Sequence, residues 1–163
     1  MKKITLLFVF AVAMATAAFA QPRAVGLRIG YGAAASYQHS MGEKNMVEVE
    51  VGLPGFNAIE AAATYDWINP GGLEFPKVSK GKFNWYAGVG AGIGYDWGTW
   101  WYYPYAFGGV VGRVGVEYNF DFPLQLSVDW RPLIGVEGNK YGVDFYADGL
   151  DSGAIAVGAR YIF

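Results

Sequence analysis

The chain contains no cysteine among its 163 residues. That excludes a disulfide framework, a thiolate metal site and a lipid-modified N-terminal cysteine. His39 is the only histidine, which argues against a histidine-based metal centre. Charge is also scarce: Asp, Glu, Lys and Arg make up 16% of the chain, against roughly 25% in soluble domains. Beyond the N-terminus, no uninterrupted apolar stretch approaches the roughly 20 residues that a membrane-crossing helix needs.

The N-terminus itself reads as an export signal. Lys2 and Lys3 precede an apolar run from Ile4 to Ala18, closed by the small-residue triplet Ala18-Phe19-Ala20. A basic start, a short apolar centre and an A-x-A end describe a cleaved secretory signal peptide, so residues 1–20 are set apart from a domain spanning 21–163. Its removal leaves ten Lys and Arg (12 − 2) against fourteen Asp and Glu, a net charge of −4. The basic excess of a nucleic-acid binder is missing, so no nucleic acid is expected as a partner. Aromatic residues, by contrast, reach 18%. An exported chain with this much apolar surface and this little charge requires an apolar solvent.

What the chain has in abundance is alternation. From Phe83 to Trp97 one parity reads Phe, Trp, Ala, Val, Ala, Ile, Tyr, Trp. The other reads Asn84, Tyr86, Gly88, Gly90, Gly92, Gly94, Asp96. A strand sends these sets to opposite faces. The same pattern recurs around Val25–Tyr31, Val47–Leu53, Ile59–Trp67, Val114–Phe120, Leu124–Trp130 and Ile155–Phe163. No segment carries a helical period.

Turn signals at Gly42–Asn45, Pro54–Asn57, Asn69–Gly72 and Asp121–Pro123 separate the runs. The stretch 24–41 holds one strand or two. Two gives eight strands, near 23–31, 34–41, 45–53, 57–68, 83–97, 107–120, 123–132 and 152–163. The even count matches bacterial single-chain barrels. Long connections are then expected at 69–82, 98–106 and 133–151.

The polar face is built largely of Gly, Ala and Ser, too poor in Lys and Glu to solvate a protein surface. Small residues suit the crowded interior of an eight-stranded barrel. The apolar face, with Trp and Tyr near strand ends, suits lipid and its aromatic girdles. The expected fold is therefore an all-β, eight-stranded, antiparallel, transmembrane up-and-down β-barrel.

The segments "GLRIGYGAAASYQHSMG", "FNWYAGVGAGIGY", "GVEYNFDFPLQLSVDWRP" and the terminal "GARYIF" carry a family likeness. With them the chain resembles the small, porin-like outer-membrane β-barrel proteins of Bacteroidetes-type Gram-negative bacteria, over essentially all of 21–163. The resemblance implies location in the outer membrane of the cell envelope, with both termini in the periplasm. It also implies that Tyr161 and Phe163 form the C-terminal signal read by the barrel-assembly machinery. Outer-membrane lipid is then a partner. About activity it implies little.

Each chemical candidate has a plainer reading beside it. The glycine row lacks both the third glycine of a dinucleotide fingerprint and the Lys-Ser/Thr of a P-loop, so it is not a phosphate cradle. His39 and a serine would make a lipid-modifying enzyme conceivable, but Ser36 and Ser40 have the opposite strand parity to His39. The inward charges form the most coherent set: Arg28, Glu48, Glu50, Glu60, Asp66, Asp96, Arg113, Glu117, Asp129, Arg131 and Arg160. Charges in a narrow lumen must be paired or hydrated. They are expected to fill the barrel or, alternatively, to line a narrow path for very small solutes or ions.

The stretch "GTWWYYPYAF", with Trp100, Trp101, Tyr102, Tyr103 and Tyr105, reads as an aromatic rim loop. It could anchor at the interface or stack on a surface glycan or protein ligand. The acids Glu137, Asp144, Asp148 and Asp151 do not match a calcium-loop spacing. No catalytic residue, cofactor or metal is expected. The best reading is a non-enzymatic outer-membrane barrel with a plugged or very narrow polar lumen, working structurally or through its loops.

Overall fold

The computed structural model describes residues 23–72, 80–98, 100, 103–150 and 152–163. The expected signal peptide, Trp101, Tyr102 and Asp151 lie outside them. Among the described residues there are ten strands: β1 (Arg23–Gly30), β2 (Gly32–Ser40), β3 (Asn45–Pro54), β4 (Ala58–Ile68), β5 (Lys82–Asp96), β6 (Tyr105–Asn119), β7 (Leu124–Trp130), β8 (Leu133–Asn139), β9 (Gly142–Asp148) and β10 (Ile155–Ile162). They form one antiparallel sheet in the order β5-β4-β3-β2-β1-β10-β7-β6-β8-β9, and a further β5–β6 pairing closes it.

Ten strands make eight staves. Paired residue numbers between β6 and β7 sum to 244 (Val114 with Trp130), and those between β6 and β8 give the same sum (Val111 with Leu133). One register therefore runs from Leu124 to Asn139, and β7 and β8 are a single stave interrupted at Arg131–Pro132. Pro132 has no N–H to donate to a ladder. Its carbonyl accepts from the Gly112 amide at 3.0 Å. On the other side of this stave the sums differ, 285 for β7 with β10 and 281 for β8 with β9. The last stave thus carries a four-residue excursion (285 − 281), which holds the 3₁₀ turn Ser152–Ala154.

The stretch 24–41 is two strands, turning at Gly30-Tyr31-Gly32 with Gly32 at φ 140°. The β3–β4 connection places Gly55 and Phe56 at φ 57° and 59°, the two left-handed positions of a type I′ hairpin. The expected long connection at 133–151 is corrected: most of it is the β8–β9 hairpin, turning at Lys140-Tyr141. Glycines at 135, 138 and 142 blur an alternation that the backbone nevertheless obeys. The aromatic segment is shorter than expected, because Tyr105 and Ala106 already belong to β6.

Both ends of the described chain meet at one end of the barrel, where Arg23 and Phe163 exchange backbone hydrogen bonds of 3.1 and 2.8 Å. The opposite, distal end is uneven. The β1–β2 turn stops at Tyr31, while β5, β6, β8 and β9 rise further. β9 is hydrogen-bonded to β8 alone among the described strands.

Candidate functional site: the barrel interior

Side-chain polarity is inverted relative to a soluble protein. Val25, Leu27, Val49, Val51, Ile59, Val89, Val116, Leu126, Val128 and Val157 are exposed on the outer wall. At the terminal end, exposed and half-buried rings encircle the wall: Phe83 against Tyr118 at 4.5 Å, Tyr65 against Trp67 at 5.3 Å, and Tyr161 against Phe163 at 6.4 Å. Tyr31, Phe56, Tyr95 and Trp97 are exposed toward the distal end. Soluble monomers rarely expose contiguous apolar patches beyond a few hundred Å².

Inside, alternation delivers the charges. Arg28, Glu48, Glu50, Glu60, Asp66, Asp96, Arg113, Glu117, Asp129 and Arg160 are all buried, and Arg131 is nearly so. Nearest the termini, Glu117 accepts from three amides: Asn84 at 2.8 Å, Asn119 at 3.0 Å and Gln125 at 3.0 Å. Gln125 accepts in turn from Arg160 at 3.3 Å. Arg160 also donates to Ser36 (2.7 Å), Ser127 (2.7 Å) and Glu48 (2.6 Å), so its fork is used on both arms. Glu48 further accepts from Ser36 and Gln38, each at 2.6 Å, and from Arg113.

Arg113 is the centre of the lumen. It reaches across the barrel from β6 to Glu48 on β3 and Asp66 on β4 (3.2 Å), and sideways to Asp129 on β7 (3.3 Å). It also donates to the Tyr86 hydroxyl at 3.1 Å and lies over that ring, 4.7 Å from its centroid. Tyr86, fully buried, donates onward to Asp129 at 3.2 Å. Thr64 donates to Asp66 at 2.9 Å. From Asp129 the chain continues through Arg28 (2.8 Å from Nε) to Glu50 (3.7 Å), then Arg131 (3.3 Å) and Glu60 (2.7 Å).

Nine of the eleven expected residues therefore form one run of ion pairs, four arginines against five carboxylates. Glu117 joins it through Gln125. Asp96 stands apart at the distal mouth, held by Asn57 (2.8 Å), the Gly98 amide (2.6 Å) and Tyr105 (3.4 Å). An unpaired charge buried in this way costs several kcal/mol, which the pairing and the hydroxyl and amide donors offset.

The glycine row makes room, but for two different neighbours. A Cβ at Gly88 would collide with the Asp66 carboxylate, as a row serving charged side chains requires. The upper glycines serve apolar ones instead: a Cβ at Gly92 would lie 2.9 Å from Leu133, and one at Gly94 would meet the Phe107 ring. Those side chains, with Ala58, Ala62 and Val111, make a small apolar layer above the charges. Sequence reading missed this layer and also Tyr86, Ser36, Gln38, Thr64 and Ser127. All share the inward parity, which was the available signal.

His39 lies on the outer wall, stacked on Tyr37 at 6.5 Å, while Ser36 is buried in the lumen. The wall separates them. Of the aromatic stretch, Trp100 and Tyr103 are exposed. Tyr105 is corrected to an inward-facing strand position beside Asp96 and Phe107.

A closed eight-stranded barrel with a charged interior and an apolar exterior has the architecture of transmembrane barrels. No protein-family model matches the chain, and no curated protein matches it. Among solved structures it is similar to the crystal structure of the N-terminal β-barrel domain of Pseudomonas aeruginosa OprF. The TM-score is 0.48 and the identity 12%, over 88% of this chain and 96% of that one. The barrel assignment here stands on the strand pairings themselves.

Proposed function

We propose that this protein is a non-enzymatic outer-membrane barrel whose lumen is closed, with a structural or surface-interaction role carried by its distal end. The observation that carries the reading is Arg113. It is buried at mid-lumen and engages acids from β3, β4 and β7 at once, an arrangement that favours a closed lumen over an aqueous path. An eight-stranded interior is only wide enough for side chains to fill, which fits a plug better than a porin. The exposed apolar belt between two sets of aromatic rings suits outer-membrane lipid as solvent. Tyr161 on the last strand and Phe163 just after it, both exposed, suit recognition by the barrel-assembly machinery after export on residues 1–20. Trp100 and Tyr103 supply exposed aromatic surface for a glycan or protein ligand.

Planar-bilayer recording tests the plug. The wild-type barrel is expected to show no stable open state of nanosiemens order, and such a state would sink the closed-lumen reading. Membrane fractionation with a detergent heat-modifiability gel tests location and barrel together. Recovery in the soluble fraction, or one mobility before and after boiling, would overturn both.

A further inference from the structure

Above the apolar layer the interior opens again, into a cavity of about 370 Å³ at the distal mouth. Three rings face it. Phe107 and Tyr146 stack at 4.7 Å with planes 20° apart, and Tyr105 lies 6.1 Å from each. Three carboxylates line the same space, Asp96, Glu137 and Asp148, and no lysine or arginine among the described residues does so. Arg131, held by Glu50 and Glu60, lines the adjoining cavity together with Asp148.

We propose that this cavity binds a small organic cation of the alkylammonium class. Aromatic faces attract a soft cation that sheds water readily, and desolvation strengthens the attraction. The carboxylates of Asp96 and Glu137 at this mouth supply a field of matching sign. A hard metal ion fits less well, because it needs several oxygens converging at short range. No group of His, Asp or Glu among the described residues is arranged to hold a metal. The floor is Phe107, with Val111 and Leu133 close-packed beneath it, so the ligand is held at the mouth and does not pass through. Access is from the distal side, where β9 has a strand on one edge only among the described strands.

The site does not depend on whether the lower lumen conducts, and its test is separate. Choline is titrated into the folded barrel in detergent micelles, with binding followed by calorimetry. Saturable binding of millimolar order or tighter is expected. The uncharged isostere, with carbon in place of nitrogen, is expected to bind at least about 10-fold more weakly, because ring and carboxylate attraction both vanish. Tyr146→Leu, and separately Glu137→Gln with Asp148→Asn, are each expected to weaken choline by about 5-fold or more. These positions lie on the β8–β9 hairpin, distal to the ion pairs of the lumen, and heat-modifiability verifies that each variant is a folded barrel. Equal binding of choline and its isostere would reduce the cavity to an apolar hole and overturn the proposal. So would displacement of choline by equimolar calcium, unchanged affinity in both variants, or no saturable binding at all.

Discussion

The lower lumen and the distal mouth solve the same packing problem with opposite chemistry. Below the level of Tyr31 all eight staves are present. An arginine on one stave can therefore find acids on the stave opposite, as Arg113 on β6 finds Glu48 on β3. Above it the β1–β2 hairpin has ended and β9 has no second neighbour among the described strands. Opposite walls no longer face each other there, and Phe107, Val111 and Leu133 pack together with Tyr105 and Tyr146 against them. Ion pairs need partners fixed from several sides, whereas apolar contact is non-directional and tolerates an incomplete wall.

Breaking the lower lumen should therefore have the largest effect. Arg113→Leu leaves Glu48, Asp66 and Asp129 buried without their shared cation. It is expected to cost about 3–5 kcal/mol, read as a lower urea midpoint for barrel unfolding in micelles. A loss below about 1 kcal/mol would mean that water already hydrates these acids and that the lower lumen is not dry.

The two regions should also differ on their outer walls. Val51 on β3 lies in the apolar belt, while Val143 lies on the projecting hairpin. In a bilayer, Val51→Arg is expected to cost about 2–4 kcal/mol and Val143→Arg about 0–1, since the penalty for a cation falls toward the interface. Equal costs in lipid vesicles would place the hairpin at the same depth as the belt. The glycine row gives a third, smaller contrast. Gly92→Val forces its methyls toward Leu133 and Val111, and overpacking of this kind costs about 1–3 kcal/mol. Gly138→Val, with only Val143 Cγ2 at 3.7 Å and the Gly142 carbonyl at 3.8 Å near its Cβ, should change stability by less than about 0.5 kcal/mol.

Where the wall is complete, local sequence spoke clearly. Parity alone assigned Glu48, Glu50, Glu60, Asp66 and Arg160 to the interior, because a strand allows only two faces. It could not say which arginine meets which acid. Arg113 and Glu48 are 65 residues apart, and their meeting depends on the stagger of staves around the barrel, which no single strand encodes. At the distal end parity was blurred. Gly135, Gly138 and Gly142 dilute the pattern of β8 and β9, and the four-residue excursion before β10 breaks the phase, so a hairpin read as a loop. Tyr105 was placed on a loop with the aromatic run before it, whereas β6 begins at that residue.

The smallest effect should come from the contact that ties the two distal segments together. Lys140 at the hairpin tip places its ammonium 4.7 Å from the ring centroids of both Tyr103 and Tyr141, and those rings meet edge-on at 4.8 Å. An exposed cation–π contact is worth about 0.5–1 kcal/mol. Lys140→Ala is therefore expected to leave the unfolding midpoint of the barrel unchanged, since no closed stave is touched. Opening of the tip should increase about 2–5-fold, the factor to which that energy corresponds. Limited chymotrypsin digestion of the embedded protein reads this directly, as faster cleavage after Tyr141 or Tyr103, while Phe122 at the terminal-end turn stays at its wild-type rate. Acceleration at both ends alike would show that the tip contact supports the whole barrel and not the mouth alone.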